Sequence, residues 1–301
     1  MPILYRPARI DDIQTVSDIY WQSVLDVYDA HGFGYKRQVY PLNPSYAFTL
    51  QEEPDGFFVA EDAHKVVGAT ISWVRGHHWF LSHLFIMPPY QGQGIGKALL
   101  GRALAYGTSL KAGLRSVITM AFNPASIALY MKNGMYPIED IYLLSLDPDK
   151  AGHIPESLTG TSCEGLGKSS SQRDELSLID EQVLGMSRPL HHRFFQESKR
   201  ASGYLLRYKG RAAAYAYIWP DGRIGPVAAL PDAPYKDVLK AFITLARKAS
   251  PELSMMVPGS NKIALEVAFS WGFTISMPYL LLSSQPFGAW DRYLFHSPGM
   301  M

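Results

Sequence analysis

The sequence predicts a mixed α/β (α+β) fold in two tandem domains. Three observations predict it: the length, an element order that runs twice, and a polar stretch between the two runs. A chain of 301 residues exceeds one ordinary core and suits two domains of about 150 residues each. Its residues are 47% hydrophobic and 18% charged, a globular mixture that excludes disorder of the whole chain. After Asp147-Pro148-Asp149 the chain turns rich in glycine and serine, with Gly152, Gly160, Gly165, Gly167 and Ser169–Ser171. This reads as a linker over 148–172, between a first domain at 1–147 and a second at 173–301.

In the first domain, Ile10, Ile13, Val16, Ile19 and Tyr20 recur at helical spacing over 8–30. Residues 31–55 hold Pro41, Pro44 and Pro54 and read as a loop with a short helix. A hairpin follows, with strands at 56–61 and 66–75 and a turn between them. A strand at 81–87 leads into a helix over 94–110, which carries Ile95, Leu99, Ala103 and Tyr106 on one stripe. A β-branched strand at 116–122 precedes a helix over 124–133, with Asn123 at its N-cap, Pro124 at its first position and Gly134 past its end. Strands over 136–146 close the domain.

The second domain repeats the order. It reads as a helix at 176–184, strands at 204–208, 212–219 and 224–230, and a helix at 234–248. Asn123, Ser126, Tyr130 and Gly134 are matched in spacing by Asn261, Ala264, Ala268 and Gly272, and Gly56-Phe57-Phe58-Val59 by Gly203-Tyr204-Leu205-Leu206. The pattern is that of an internal duplication.

Bulk charge narrows the function. A formal net charge of +1 provides no field for nucleic acid or a membrane surface. One cysteine, Cys163, excludes a disulfide framework and a cysteine metal site. No stretch reads as a signal peptide or as a membrane span of about 20 apolar residues. The expectation is a cytoplasmic protein.

The strand at 81–87 runs into Pro88-Pro89-Tyr90-Gln91-Gly92-Gln93-Gly94-Ile95-Gly96-Lys97. Alternating glycines let backbone N–H groups approach an anion, and the following helix start adds orphan donors and partial positive charge. Lys97 adds a cation. The result is a phosphate cradle. A nucleotide P-loop needs Ser or Thr after the lysine, where Ala98 stands, and a glycine where Gln91 stands. The dinucleotide fingerprint needs glycine where Lys97 or Leu99 stands. Both fail.

The segment Gln91-x-x-Gly94-x-Gly96, after Leu84-Phe85-Ile86-Met87-Pro88, resembles the acetyl-CoA signature of the GNAT superfamily of N-acetyltransferases. Asn123 to Met135, with Ser126, Tyr130 and Gly134, resembles that superfamily's second motif, with methionine in the usual phenylalanine place. The resemblance implies two tandem domains, each a twisted, mostly antiparallel sheet flanked by helices. It implies acetyl-CoA as co-substrate, no metal, and a small-molecule or peptide amine as acceptor, with no nucleic acid or membrane partner, in a monomer or homodimer. It implies cofactor contacts from Leu84, Phe85, Ile86, Gln91, Gly92, Gln93, Gly94, Ile95, Gly96, Lys97, Asn123 and Ser126. Direct attack by a primary amine follows, with backbone N–H around Phe85–Ile86 at the carbonyl and Tyr130 as general acid to the leaving thiolate.

The general base is the open position. Relatives carry a glutamate about where Phe80 stands, and His83 is the substitute expected here. His77 and His78, in the preceding turn, read as exposed loop residues or substrate contacts, and Glu61 and Asp62 as solvated. Tyr20, Trp21, Tyr28, Phe33, Tyr35 and Tyr40 could line an acceptor pocket, although core packing explains their spacing better. The second domain lacks the glycines and the tyrosine, carries Asp232 and Asp237 instead, and is expected not to catalyse. The alternative to an enzyme is a non-catalytic acyl-CoA-binding sensor.

Overall fold

The computed structural model describes residues 2–33, 42–150, 161–167, 169–197 and 201–301. By internal contacts the chain divides into two units: Met1–Ile118 with Phe122–Tyr136, and Thr119–Ala121 with Pro137–Met301.

The first unit is built on strands β1 (Leu4–Pro7), β2 (Phe57–Asp62), β3 (Lys65–Arg75), β4 (His78–Ile86) and β5 (Leu114–Met120). They lie in sequence order, each antiparallel to the last except β5, which runs parallel to β4. Helices α1 (Ile13–Ala30) and α2 (Pro44–Glu52) cover one face; α3 (Ile95–Ser109) covers the other, and α4 (Pro124–Met131) follows β5. Ile13, Val16 and Ile19 of α1 and Tyr46 of α2 pack on Phe57, Val59 and Ile71. Ile95 and Leu99 of α3 pack on Ala60 and Val67. Burial from both faces explains why β3 is an almost unbroken apolar run instead of an alternating one.

Two local expectations change. Glu61 is not solvated: β1 brings Arg6 beside it, with Nε 2.7 Å from its carboxylate, while the same guanidinium donates to Asp12 at 2.7 and 2.9 Å. Asp62 accepts from the Tyr90 hydroxyl at 3.1 Å. His78 is a buried strand residue, its Nε2 2.6 Å from Ser116 Oγ, because parallel β5 lies alongside.

The second unit holds β6 (Tyr136–Leu146), β7 (Thr161–Gly165), β8 (Ser202–Tyr208), β9 (Arg211–Ile218), β10 (Arg223–Ala229), β11 (Leu253–Pro258), β12 (Thr274–Ser283) and β13 (Tyr293–Leu294). Its helices are α5 (Ser170–Leu184), α6 (Pro189–Glu197), α7 (Tyr235–Ala249) and α8 (Lys262–Ser270). The run β2-β3-β4-α3-β5-α4 recurs as β8-β9-β10-α7-β11-α8, with the same antiparallel pairs and the same parallel last pair. β6, read from sequence as closing the first domain, pairs with β11 from Ile141↔Pro258 to Leu146↔Leu253, and Leu144 and Leu146 lie in the core of the second unit. Its apolar pattern identifies a strand but carries no label for the partner. Within the stretch read as linker, Thr161–Gly165 forms β7 on β8 and Ser170 starts α5. A polar composition is compatible with a strand that has a partner on one side only. Residues 151–160 and 168 lie outside the described set.

At the centre of this unit is a buried ionic cluster. Arg188 donates to both carboxylate oxygens of Asp180 at 3.0 Å, to Tyr215 Oη at 2.6 Å, to Tyr293 Oη at 2.9 Å, and to the Met301 carbonyl. His192 Nε2 lies 3.0 Å from Asp180. Arg188 and His192 hold the Asp180 carboxyl well below the usual range against the opposing effect of burial. Removing one partner of such a pair strands the other charge in a low dielectric. Arg188→Ala is therefore expected to destabilise the chain by about 3–5 kcal/mol, measured by urea denaturation.

Candidate active site

β4 and β5 are paired only over His78↔Leu114 to Leu81↔Val117. The ladder between β3 and β4 slips by one residue at the same place, from Ile71↔His83 to Ser72↔Leu81, which makes Ser82 a bulge. A bulge bends its strand and sharpens the local twist. Past it, β4 leaves β5 and a wedge forms at the carboxyl ends of the two parallel strands.

The register decides which groups face the wedge. Met87 N–H donates to Val67 O at 2.9 Å, so Met87, Phe85 and His83 direct their backbone groups to β3. The alternation of a strand then turns Leu84 and Ile86 toward the wedge. The Ile86 carbonyl agrees: it accepts from Ser23 Oγ of α1 at 3.0 Å and from Gln91 Nε2 at 3.0 Å. This places Phe85 N–H on β3 and narrows the expected donor near Phe85–Ile86 to Ile86, with Leu84 beside it.

Because α3 follows β4 and α4 follows β5, both motifs arrive at the same end of the parallel pair. A short 3-10 turn, Pro88–Tyr90, ends β4. Gly92 and Gly94 then take φ +77° and +81°, values that cost most residues about 1–2 kcal/mol, and a side chain at either would meet open space. Gly96 has an ordinary backbone conformation and a Cβ there would only touch Ile86. Gln93 Nε2 bonds Pro89 O at 3.1 Å, fastening the turn from its second glutamine. The first helical bond to Gly94 O comes from Ala98 N–H, so the N–H groups of Ile95, Gly96 and Lys97 are the orphan donors of the helix start. The Ile95 side chain itself is core, packed with Leu99; only its backbone faces outward. Lys97 is exposed.

On α4, Asn123 Oδ1 accepts from Ser126 N–H at 3.1 Å. The cap thus uses the oxygen and leaves Nδ2 as the atom able to donate to a ligand. Gly134, at φ +77°, ends the helix. Tyr130 is 5% exposed. Burial pushes its phenol far above the ordinary value, with the neighbouring Ser126 hydroxyl opposing, so it is protonated at neutral pH.

His83 lies on the opposite face of β4 from Leu84, among the rings of Tyr46 (5.1 Å), Tyr20 (5.7 Å) and Phe85 (5.8 Å), with Nδ1 2.7 Å from Ser82 Oγ. Burial pushes its imidazole down to about 3, so it is uncharged at neutral pH. Tyr20 and Trp21 are half-buried; Phe33 stacks on Phe122 at 4.7 Å. Tyr35 and Tyr40 lie outside the described residues. Ser23 was not legible as a site residue, since one serine on an amphipathic helix carries no signal. Among the described residues, no group of three or more His, Cys, Asp or Glu is placed to hold a metal, and no helix is long and apolar enough to cross a membrane.

A parallel strand pair that parts at a bulge, with a glycine-turned helix start and a capped helix at its carboxyl ends, defines the class of α/β protein to which this unit belongs. Residues 14–135 match the model of the acetyltransferase (GNAT) family. An acetyltransferase of Sodalis glossinidius (strain morsitans) is 33% identical over 95 residues, which cover 32% of this chain and 66% of that protein, just under two thirds of its length. A crystal structure from Pyrococcus horikoshii is 18% identical with a TM-score of 0.78, over 99% of this chain and 96% of that one. A tandem GNAT protein from the clavulanic acid biosynthesis pathway is 16% identical with a TM-score of 0.63, over 95% and 99%. At these identities the two structures show the fold.

His83 gives a pH prediction. Its folded value lies below the ordinary value of about 6.5, so its contribution to stability is complete above that pH and is lost as pH falls toward 3. His83→Phe is expected to remove up to one proton from the pH dependence of unfolding in this window, about 1.4 kcal/mol per pH unit at most. Urea titrations at several pH values measure it; buried His296, also depressed, supplies a slope that the variant leaves in place.

Proposed function

We propose that the first unit transfers an acetyl group from acetyl-CoA to a primary amine by direct attack, with Tyr130 as general acid. The observation that carries this reading is the meeting of the wedge donors and the orphan helix start at one end of β4 and β5, with Tyr130 buried and protonated on the helix that follows β5. The donor set fits the co-substrate. N–H groups of Gly92 to Lys97 suit a pyrophosphate, and Asn123 Nδ2 and the wedge edge of β4 suit an amide-bearing arm. Acetyl-CoA supplies the activated acyl group. Ile86 N–H, with Leu84 N–H beside it, is directed where a carbonyl oxygen gains charge, and a fixed dipole there costs no reorganisation. The Tyr130 hydroxyl holds the proton that a departing thiolate needs.

An amine with a pKa near 10.4 must lose a proton before attack. His83 is the proposed base, since its neutral ring has a lone pair to offer. Its depressed basicity favours a second route, in which water carries the proton away and His83 shapes the aromatic floor of the acceptor side. Small molecules and peptides with a free amine are the proposed acceptors, and the chain is proposed to act in the cytoplasm as a monomer or homodimer, with the first unit catalytic and the second not.

Tyr130→Phe is expected to lower kcat about 10²–10⁴-fold while the acetyl-CoA Kd stays within about twofold, because only the phenolic proton is lost. Thiol release across an amine panel and calorimetric binding measure the two. Binding without Tyr130-dependent release from any acceptor would support an acyl-CoA sensor instead.

Gly94→Val is expected to weaken acetyl-CoA binding by about tenfold or more. The substitution forces a β-branched residue into a left-handed conformation at the centre of the cradle. Isothermal titration measures it.

A further inference from the structure

The second unit contains the same wedge, and the chain itself fills it. One offset carries Leu81, Leu84 and Met87 of β4 onto Ile224, Val227 and Leu230. A second carries Val117, Asn123 and Gly134 onto Met255, Asn261 and Gly272. The parallel pairing of β10 and β11 ends at Ile224↔Met255, where that of β4 and β5 ends at Leu81↔Val117. The ladder between β9 and β10 slips by one residue just past it. Leu230 N–H donates to Ala213 O at 2.8 Å, as Met87 does to Val67, so Val227 faces the wedge as Leu84 does.

There Val227 pairs with Leu294 and Ala228 with Tyr293, as β13 runs antiparallel along β10. One residue on, Phe295 N–H donates across to Met256 O of β11 at 3.0 Å. Asn261 caps α8 through Oδ1, as Asn123 caps α4, and its Nδ2 donates to Tyr293 O at 3.2 Å and Tyr235 Oη at 2.8 Å. The Tyr293 hydroxyl reaches Arg188 at 2.9 Å, which anchors the strand on the buried ionic cluster. Gly225 holds φ +146°, and a Cβ there would overlap the Phe295 carbonyl. Tyr293, Leu294 and Phe295 have no exposed surface.

We infer that segment Tyr293–Phe295 is a built-in peptide occupant of the second cofactor wedge, so that the chain binds one acyl-CoA, in the first unit only. This rests on the reading of the first wedge as the acetyl-CoA site. Asn123 and Asn261 hold equivalent positions with exchanged duties: one serves the ligand, the other holds the chain in the ligand's place. The Asp180–Arg188 pair acquires a function as the anchor of that occupant.

Serine keeps a capping oxygen and removes the amide donor, so the two asparagines can be compared without loss of either cap. Asn123→Ser is expected to weaken acetyl-CoA binding about tenfold and leave Tm unchanged. Asn261→Ser is expected to lower Tm by at least about 3 °C and leave the acetyl-CoA Kd unchanged. Calorimetry on the wild-type chain is expected to give one site. Two sites, or weaker acetyl-CoA binding in Asn261→Ser, would overturn the inference and leave the reading of the first unit intact. No site at all would overturn that reading, and the inference with it. If Asn261→Ser does not fold, the wild-type stoichiometry still decides.

Discussion

Two parallel strands that part after a few residues stop satisfying each other's backbone groups. Every N–H and C=O beyond the last pair must find water, a side chain, a ligand or another strand. In this protein the parting is forced twice by a one-residue slip in the neighbouring antiparallel ladder, beside Leu81 in the first unit and beside Ile224 in the second. Most of what distinguishes the two units follows from how the displaced groups are answered. In the first, the groups of Leu84 and Ile86 face the end of the sheet where the glycine turn and α4 arrive. In the second, Leu294 and Phe295 answer them with backbone pairing from the same chain.

The surroundings of the first wedge hold its edge still. Ser23 and Gln91 both donate to the Ile86 carbonyl, one from α1 and one from the turn, and so tie the strand end to the two segments on either side of it. The core beneath β3 and β4 is apolar on both faces, which leaves the backbone of β4 with one polar edge and one direction in which to use it. Burial acts on the two titratable side chains in opposite senses of basicity but to one end: it keeps Tyr130 protonated and His83 unprotonated, so both are neutral at physiological pH. A neutral phenol and a neutral imidazole avoid the desolvation cost of a buried charge.

The legible parts of the site were those whose physics is local. Gly92 and Gly94 announce themselves because only glycine adopts their backbone angles freely, and Asn123-Pro124 because a cap and a first-turn proline are written in adjacent residues. The repeat was legible for the same reason, since Asn261 and Gly272 mark the same cap and stop. The pairing of β6 with β11 was not legible, nor the tie between Arg6 and Glu61, nor Ser23 beneath Ile86. Each joins residues far apart in the chain, and a hydropathy pattern gives the face of an element but not its neighbour. The short β1, β7 and β13 were missed because two to five residues carry too little periodicity to register.

By itself the sequence determined the mixed fold, the duplication, the glycine turn and the retention of Ser126 and Tyr130 in one copy only, because spacing within an element sets backbone conformation and side-chain face. The tertiary structure alone decided which amides of β4 face the wedge, how basic His83 is, and what fills the second copy. Those depend on strand register, burial and long-range pairing, which arise only when segments distant in sequence are brought together.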